Sequence, residues 1–366
     1  MAATPLLAAF DWQAAWCRQT APFTARVLER SRHWLAQDDA AHATLAAVAA
    51  DPMAAAVPLR WAGALHHLAL LGHAPWAGLW PPAGADAAVG AAGPCDEAPL
   101  DAAIAAAWTH QRAHCAAALA RPPQTNEVQR SAALLPGLLY VAAQTRLPIA
   151  LLEIGASAGL NLWCDRYRHD PGAWAWGDPA APLVLRSDWQ GPPPPLQAGL
   201  RVASRAGCDA HPVDLAQPGE GLRLASFIWP DQPARMQRLQ AAQAAAAGWQ
   251  RAEGVSVQAL PAARFVAQAL QLPRPGQATV LMHSVVWQYI GAGEQASIAS
   301  TMHAAGARAT AAAPLAWLRL EPRASDGLTS LRCRLWPGGR DALLARCHPH
   351  GAHIEWLAGT PAGEAG

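Results

Sequence analysis

Lysine is absent from this chain of 366 residues, so every one of its 27 basic side chains is arginine. That absence removes phosphate loops ending in Gly-Lys-Ser/Thr, Schiff-base lysines and Ser–Lys dyads together. Charge of either sign is sparse: Asp, Glu and Arg make up 14% of residues, and the formal net charge is +1. No broad basic field is offered to a nucleic-acid backbone or an anionic membrane, and neither partner is expected. An uninterrupted apolar run of about 18 residues, the length of a membrane-spanning helix, is also lacking. The first residues, MAATPLLAAFDWQAAW, have neither the basic start nor the apolar core of an export signal. The seven cysteines (17, 95, 115, 164, 208, 333, 347) contain no Cys-x-x-Cys pair, a pattern that suits reduced thiols in a cytoplasmic protein.

What is present is a packed globular composition, with 52% of residues hydrophobic. From about residue 5 to 145 the pattern is helical: FTARVLERSRHWLAQD and PLRWAGALHHLALLG carry apolar residues at helical spacing. A Gly/Pro/Ala loop over 80–99 separates the pieces, and Asn126 is expected to cap the apolar helix NEVQRSAALLPGLLYVAA. The pattern changes at residue 147. PIALLEIG is a short apolar run bounded by proline and glycine, as a buried parallel strand should be. Further strands are expected at 181–187, 200–207, 255–260, 278–286, 313–321 and 353–358, with helical stretches between several of them. Strands alternating with helices argue for a doubly wound α/β sheet over 126–366, behind a helical N-terminal subdomain of residues 1–125.

The first of these strands runs into LLEIGASAGLN, residues 151–161. Two readings compete for it. Gly155-Ala-Ser157-Ala-Gly159 satisfies the Gly-x-Ser-x-Gly pattern of a serine hydrolase, in which Ser157 would be a nucleophile on a strand-to-helix elbow. Such a fold places several strands and an oxyanion loop upstream, where this chain has helical sequence. The other reading is a cofactor loop: Glu153 ends the strand, and Gly155, Ser157, Gly159 and Asn161 form a small-residue bend entering a helix. Ligands of open α/β sheets bind beyond the strands' carboxyl ends. An acid two residues before a small-residue loop is the opening of a class I methyltransferase, where Glu153 would accept from the ammonium of S-adenosylmethionine. A nicotinamide site would want Gly-x-Gly-x-x-Gly, and Ser157 and Leu160 occupy its second and third glycine positions.

Other residues take expected roles around that loop. Asp209 would bind the ribose hydroxyls, with Asp188 as its rival, and Gln258 would face the adenine amine. His283 and Tyr289, in HSVVWQY after a late strand, are candidates for proton acceptance and substrate orientation. Arg235, one helical turn before Arg238, and Arg130 could clamp a substrate anion. The groups His110/His114/Cys115 and CHPHGAH (347–353) match no established zinc spacing, so no metal is expected. Some tryptophans near 163–189 could cover the cleft as a lid.

The blocks NEVQRSAALLPGL, LLEIGASAGLNLWCDRYRHD, WGDPAAPLVL, RAGCDAHPVDL, IWPDQPARMQRL, LMHSVVWQYI and HPHGAHIEWL together resemble a bacterial family, the domain of unknown function 2332 family. The resemblance covers most of the chain. It implies a methyltransferase-like Rossmann fold with a helical N-terminal part and carries no assigned reaction. The expected activity is S-adenosylmethionine-dependent methyl transfer to a small molecule. A serine hydrolase using Ser157, and a catalytically inactive cofactor-binding module, are the alternatives.

Overall fold

The computed structural model describes residues 4–80, 97–323 and 328–358. They form two compact units, one of residues 1–125 with 217–240, the other of 126–216 with 241–366. Residues 81–96 of the expected Gly/Pro/Ala loop lie outside the described residues.

The first unit is helical. It contains α1 (Pro5–Cys17), α2 (Pro22–Leu35), α3 (Asp39–Ala46), α4 (Val57–Leu70), α5 (Trp76–Leu79), α6 (Ala98–His110) and α7 (Arg112–Leu119). After α8 (Ser131–Thr145), which belongs to the second unit, residues 217–240 return to the first with α9 (Glu220–Ala225) and the start of α10 (Pro233–Glu253). Proline opens the first turns of α1, α2, α4 and α6, where its missing N–H costs nothing. The core is tryptophan-rich: Trp61 stacks on Trp34 at 5.4 Å, and Trp108 meets both rings at an angle. Trp61 is fully buried, and its indole N–H is satisfied by Ser31 Oγ at 2.9 Å.

The segment 217–240, expected in the α/β part, packs with the helices for a definable reason. Helix α2 begins without a side-chain cap of its own, after Ala21. Asp231 supplies one from 208 residues downstream, accepting from Phe23 N at 2.7 Å, Thr24 N at 3.1 Å and Thr24 Oγ1 at 2.8 Å.

The second unit is mixed α/β. Its strands are β1 (Ile149–Ile154), β2 (Arg168–His169), β3 (Val184–Leu185), β4 (Asp188–Gln190), β5 (Val202–Asp209), β6 (Val257–Ala259), β7 (Ala278–Ser284), β8 (Leu315–Pro322), β9 (Thr329–Trp336), β10 (Arg340–Cys347) and β11 (His353–Trp356). Among the described residues nine of them form one sheet in the order β4-β11-β10-β9-β8-β7-β1-β5-β6, while β2 and β3 pair separately. The block from β6 to β8 is parallel, β9 to β11 continue as an antiparallel meander, and β4 joins β11 in parallel. All six residues of β1 are buried, as a strand with neighbours on both sides and layers on both faces requires.

Side-chain alternation assigns the faces. Leu315 and Trp317 of β8 pack with Phe265 and Val266 of α11 (Ala262–Ala269) and with Ile298 and Met302 of α12 (Ala292–Ala307). Leu318 points the other way, onto α8. A Cβ on Gly137 of that helix would stand 2.6 Å from Leu318 Cδ1, so the glycine permits the contact. Strand order reverses at β1: the chain moves outward through β5 and β6, then returns to the other side of β1 with β7 and β8.

Two expectations are corrected here. Of the run 181–187 only Val184–Leu185 is a strand, and it lies in the small separate sheet. Strands β9 and β10 were not anticipated at all; their polar alternation (Arg332, Arg334) is that of an antiparallel extension with one face uncovered.

Replacing Asp231 by alanine removes three hydrogen bonds and an acid at the head of α2. The expected loss is about 1–2 kcal/mol, read as a lower urea midpoint of the full chain, with Asp231→Asn retaining part of it.

Candidate functional site

The carboxyl ends of β1, β5 and β7 come together where strand order reverses, and the loop leaving β1 is shaped by three left-handed residues. Gly155, Ser157 and Gly159 have φ of +66°, +53° and +74°. Serine in this region is uncommon and strained, an arrangement that clusters at functional sites. The loop is tied down from several sides: Ala156 N donates to Cys208 O, Val213 N donates to Ser157 O, and Gln250 Nε2 donates to Ala158 O. The chain then enters a kinked 3-10 helix, Leu160–Arg166.

Asn126 does not cap α8. Its Oδ1 accepts from Leu160 N at 3.0 Å, so the first N–H after the bend is bound to protein. Asn161 is equally committed, accepting from Ser131 Oγ at 2.8 Å. The glycines make room for protein atoms. A Cβ on Gly155 would fall 2.3 Å from Val286 Cγ2, and one on Gly159 would fall 3.0 Å from Val257 Cγ2.

Two polar atoms of the loop remain unused. Glu153 Oε2 and Ser157 Oγ are buried without a hydrogen-bond partner. Burial pushes the Glu153 carboxyl well above the usual range, Asp209 pushes it further, and the Arg130 guanidinium pulls partly back. Asp209 ends β5 beside the loop. Its Oδ2 accepts from Ser157 N at 2.9 Å and its Oδ1 from His211 N at 2.8 Å, leaving lone pairs on both oxygens. Arg130 is itself buried, donating to Ser284 O at the end of β7 and to Pro349 O. The turn carrying Pro349 is the CHPHGAH stretch. A Cβ on its left-handed Gly351 would meet Gln129 O at 2.4 Å.

At the end of β7 the expected proton acceptor is otherwise employed. His283 Nε2 accepts the indole N–H of Trp317 at 3.1 Å, so the proton sits on Nδ1, which donates to Glu321 Oε1 at 2.6 Å. With both nitrogens engaged and the ring stacked on Trp287 at 5.1 Å, His283 has no lone pair for a substrate proton. Glu321 also accepts from Val286 N and Trp287 N, holding a turn in which Val285 has φ +51°. That conformation is a true outlier for a β-branched residue. Glu321 was missed from sequence, although the signal that picked out Glu153, an acid at the end of an apolar strand, was present in APLAWLRLE. Tyr289 is 77% exposed and fills no core position.

The remaining expectations separate clearly. Asp188 lies on β4 at the far edge of the sheet, bound to His353, which leaves Asp209 as the acid beside the loop. Arg235 belongs to the first unit, where its Nη1 donates to Gln232 Oε1. The tryptophans of 163–189 form no common lid. Trp163 is core, under the guanidinium of Arg205 at 4.6 Å, whereas Trp189 stacks on Trp356 at the sheet's far edge. No described group of three or more His, Cys, Asp or Glu is placed to hold a metal ion. No helix among the described residues is long and apolar enough to cross a membrane.

A mixed α/β protein with polar groups gathered at its strand reversal is a broad class. Residues 7–356 match a bacterial family described as "Uncharacterized protein conserved in bacteria (DUF2332)", and the chain belongs to that family. No curated protein and no solved structure matches it.

The upward shift of the Glu153 carboxyl has a consequence for stability. Its folded-state pKa is raised, so its contribution is complete below the ordinary glutamate value of about 4.3 and is lost as pH rises through the folded value. Urea midpoints of the wild type should therefore fall with rising pH more steeply than those of Glu153→Gln. Parallel profiles would mean that the fold leaves the Glu153 pKa unshifted.

Proposed function

We propose that the α/β unit binds S-adenosylmethionine at the β1–β5 strand ends and transfers its methyl group to a small molecule. One observation carries the reading: a buried acid with an unpaired oxygen stands two residues before a left-handed small-residue loop, and a second acid ends the neighbouring strand.

The residues present fit the amino-acid and ribose portions of the cofactor. Glu153 Oε2 is an acceptor waiting for an N–H, and Ser157 Oγ can donate or accept. Asp209 keeps lone pairs for hydroxyl donors while its existing bonds fix it to the loop. The space over Gly155 belongs to Val286, so the bare peptide there serves the β7 turn and the open chemistry lies with Glu153 and Ser157. The bound sulfonium would supply an activated methyl group. What the chain contributes is orientation and exclusion of water, since transfer to a positioned nucleophile gains chiefly from proximity. Arg130 keeps the neighbourhood of Glu153 electrostatically favourable for its ionised form. His283 and Tyr289 take no proton in this scheme. Buried, unpaired cysteines, six among the described residues, agree with a cytoplasmic setting.

The hydrolase reading loses its footing at Ser157. A left-handed serine suits an elbow, but Oγ has no hydrogen-bond partner and therefore no activating base.

Calorimetric titration of the full chain with S-adenosylmethionine and with S-adenosylhomocysteine tests the proposal. Saturable binding of both is expected, weakened about tenfold by Glu153→Gln or by Asp209→Asn. No binding at millimolar ligand would refute it, and labelling of Ser157 by a fluorophosphonate would favour the hydrolase. Binding without turnover over a panel of nucleophiles would make the unit a sensor.

A further inference from the structure

Where the sheet turns antiparallel, β8 and β9 bring three partly exposed arginines together. On β8 and β9, Arg319 and Arg332 are direct cross-strand partners, and Arg334 follows two residues along. Like charges placed opposite each other on one face oppose folding. Among the described residues a single carboxylate answers them. Asp341 Oδ1 lies 2.6 Å from Arg319 Nη2, and Oδ2 lies 3.4 Å from Arg334 Nη2 and 3.6 Å from Arg332 Nε. Burial pushes Asp341 up, yet the three guanidiniums outweigh it and hold the acid below its usual range.

Three forks on one carboxylate leave donors unused. The Nε atoms of Arg319 and of Arg334 are buried with no hydrogen-bond partner, a costly state for a charged donor. The guanidiniums are also held in place: Arg319 lies over the Trp317 ring at 4.8 Å, Arg334 lies over Trp336 at 6.0 Å, and Arg334 Nη1 meets His303 Nε2 at 3.2 Å. Stacked guanidiniums that share one acid are arranged before any ligand arrives.

We infer that Arg319, Arg332 and Arg334 form an oxyanion site that takes the phosphate group of a small molecule, with Asp341 as the internal anion that orders it. Phosphate fits better than carboxylate because it offers enough oxygens for three forks, and guanidinium pairs with it bidentately. Arg332, the most exposed of the three at 40%, is the one best able to turn towards a ligand.

Titration of the full chain with inorganic phosphate and, separately, with glycerol 3-phosphate tests this site and distinguishes a free oxyanion from an ester head group. Saturable binding of either is expected. Arg332→Gln should weaken it about tenfold, and Asp341→Asn, which removes the competing charge, should tighten it. Should Asp341→Asn fail to fold, Arg332→Gln and Arg334→Gln decide the matter alone. Absence of saturable binding at millimolar ligand, or equal binding by wild type and Arg332→Gln, would overturn the inference. Glu153→Gln should leave phosphate binding unchanged, which separates this site from the cofactor proposal.

Discussion

The central strands of the α/β unit meet at one acid that the fold has taken out of water. Glu153 ends a fully buried strand, and burial there raises the cost of ionising its carboxyl group and pushes its pKa up. The neighbourhood is balanced: Asp209 discourages ionisation and Arg130 encourages it, so a cation arriving at this point could change the outcome. The left-handed loop that follows keeps the chain close to that acid, and its strain is tolerated because Asn126, Asp209, Val213 and Gln250 fix it from four directions.

Three acids at strand ends show how one placement serves different purposes. Glu153 faces inward with an oxygen unpaired. Asp209 braces the loop through two backbone N–H groups and remains able to accept more. Glu321 spends its carboxylate on His283 and on the turn after β7, and that turn in turn presses Val286 against Gly155. The glycine is therefore as much a joint between two strand ends as a bed for a ligand.

The sequence was most legible where burial was complete on both sides. β1 and β7 stood out as short apolar runs, because a central parallel strand has no polar face to confuse the pattern. β9 and β10 did not, since TSLRCRLW alternates leucine and cysteine with arginine and so reads like a surface segment. The placement of 217–240 could not be read locally, because what anchors it is a carboxylate reaching the head of a helix 208 residues away. Within the candidate site Glu153 and Ser157 were readable from the strand-then-glycine pattern, whereas Asp209 was one of two acids the sequence left open. The engagement of both His283 nitrogens was not: the indole that donates to it sits on a different strand, 34 residues along.

Arg130 joins parts of the chain that are made far apart in time. Its guanidinium holds a carbonyl at Ser284 and another at Pro349, and Gln129 reaches Gly351 as well. A nascent polypeptide emerging from the ribosome cannot close this clasp until Pro349 has been made, 219 residues after Arg130.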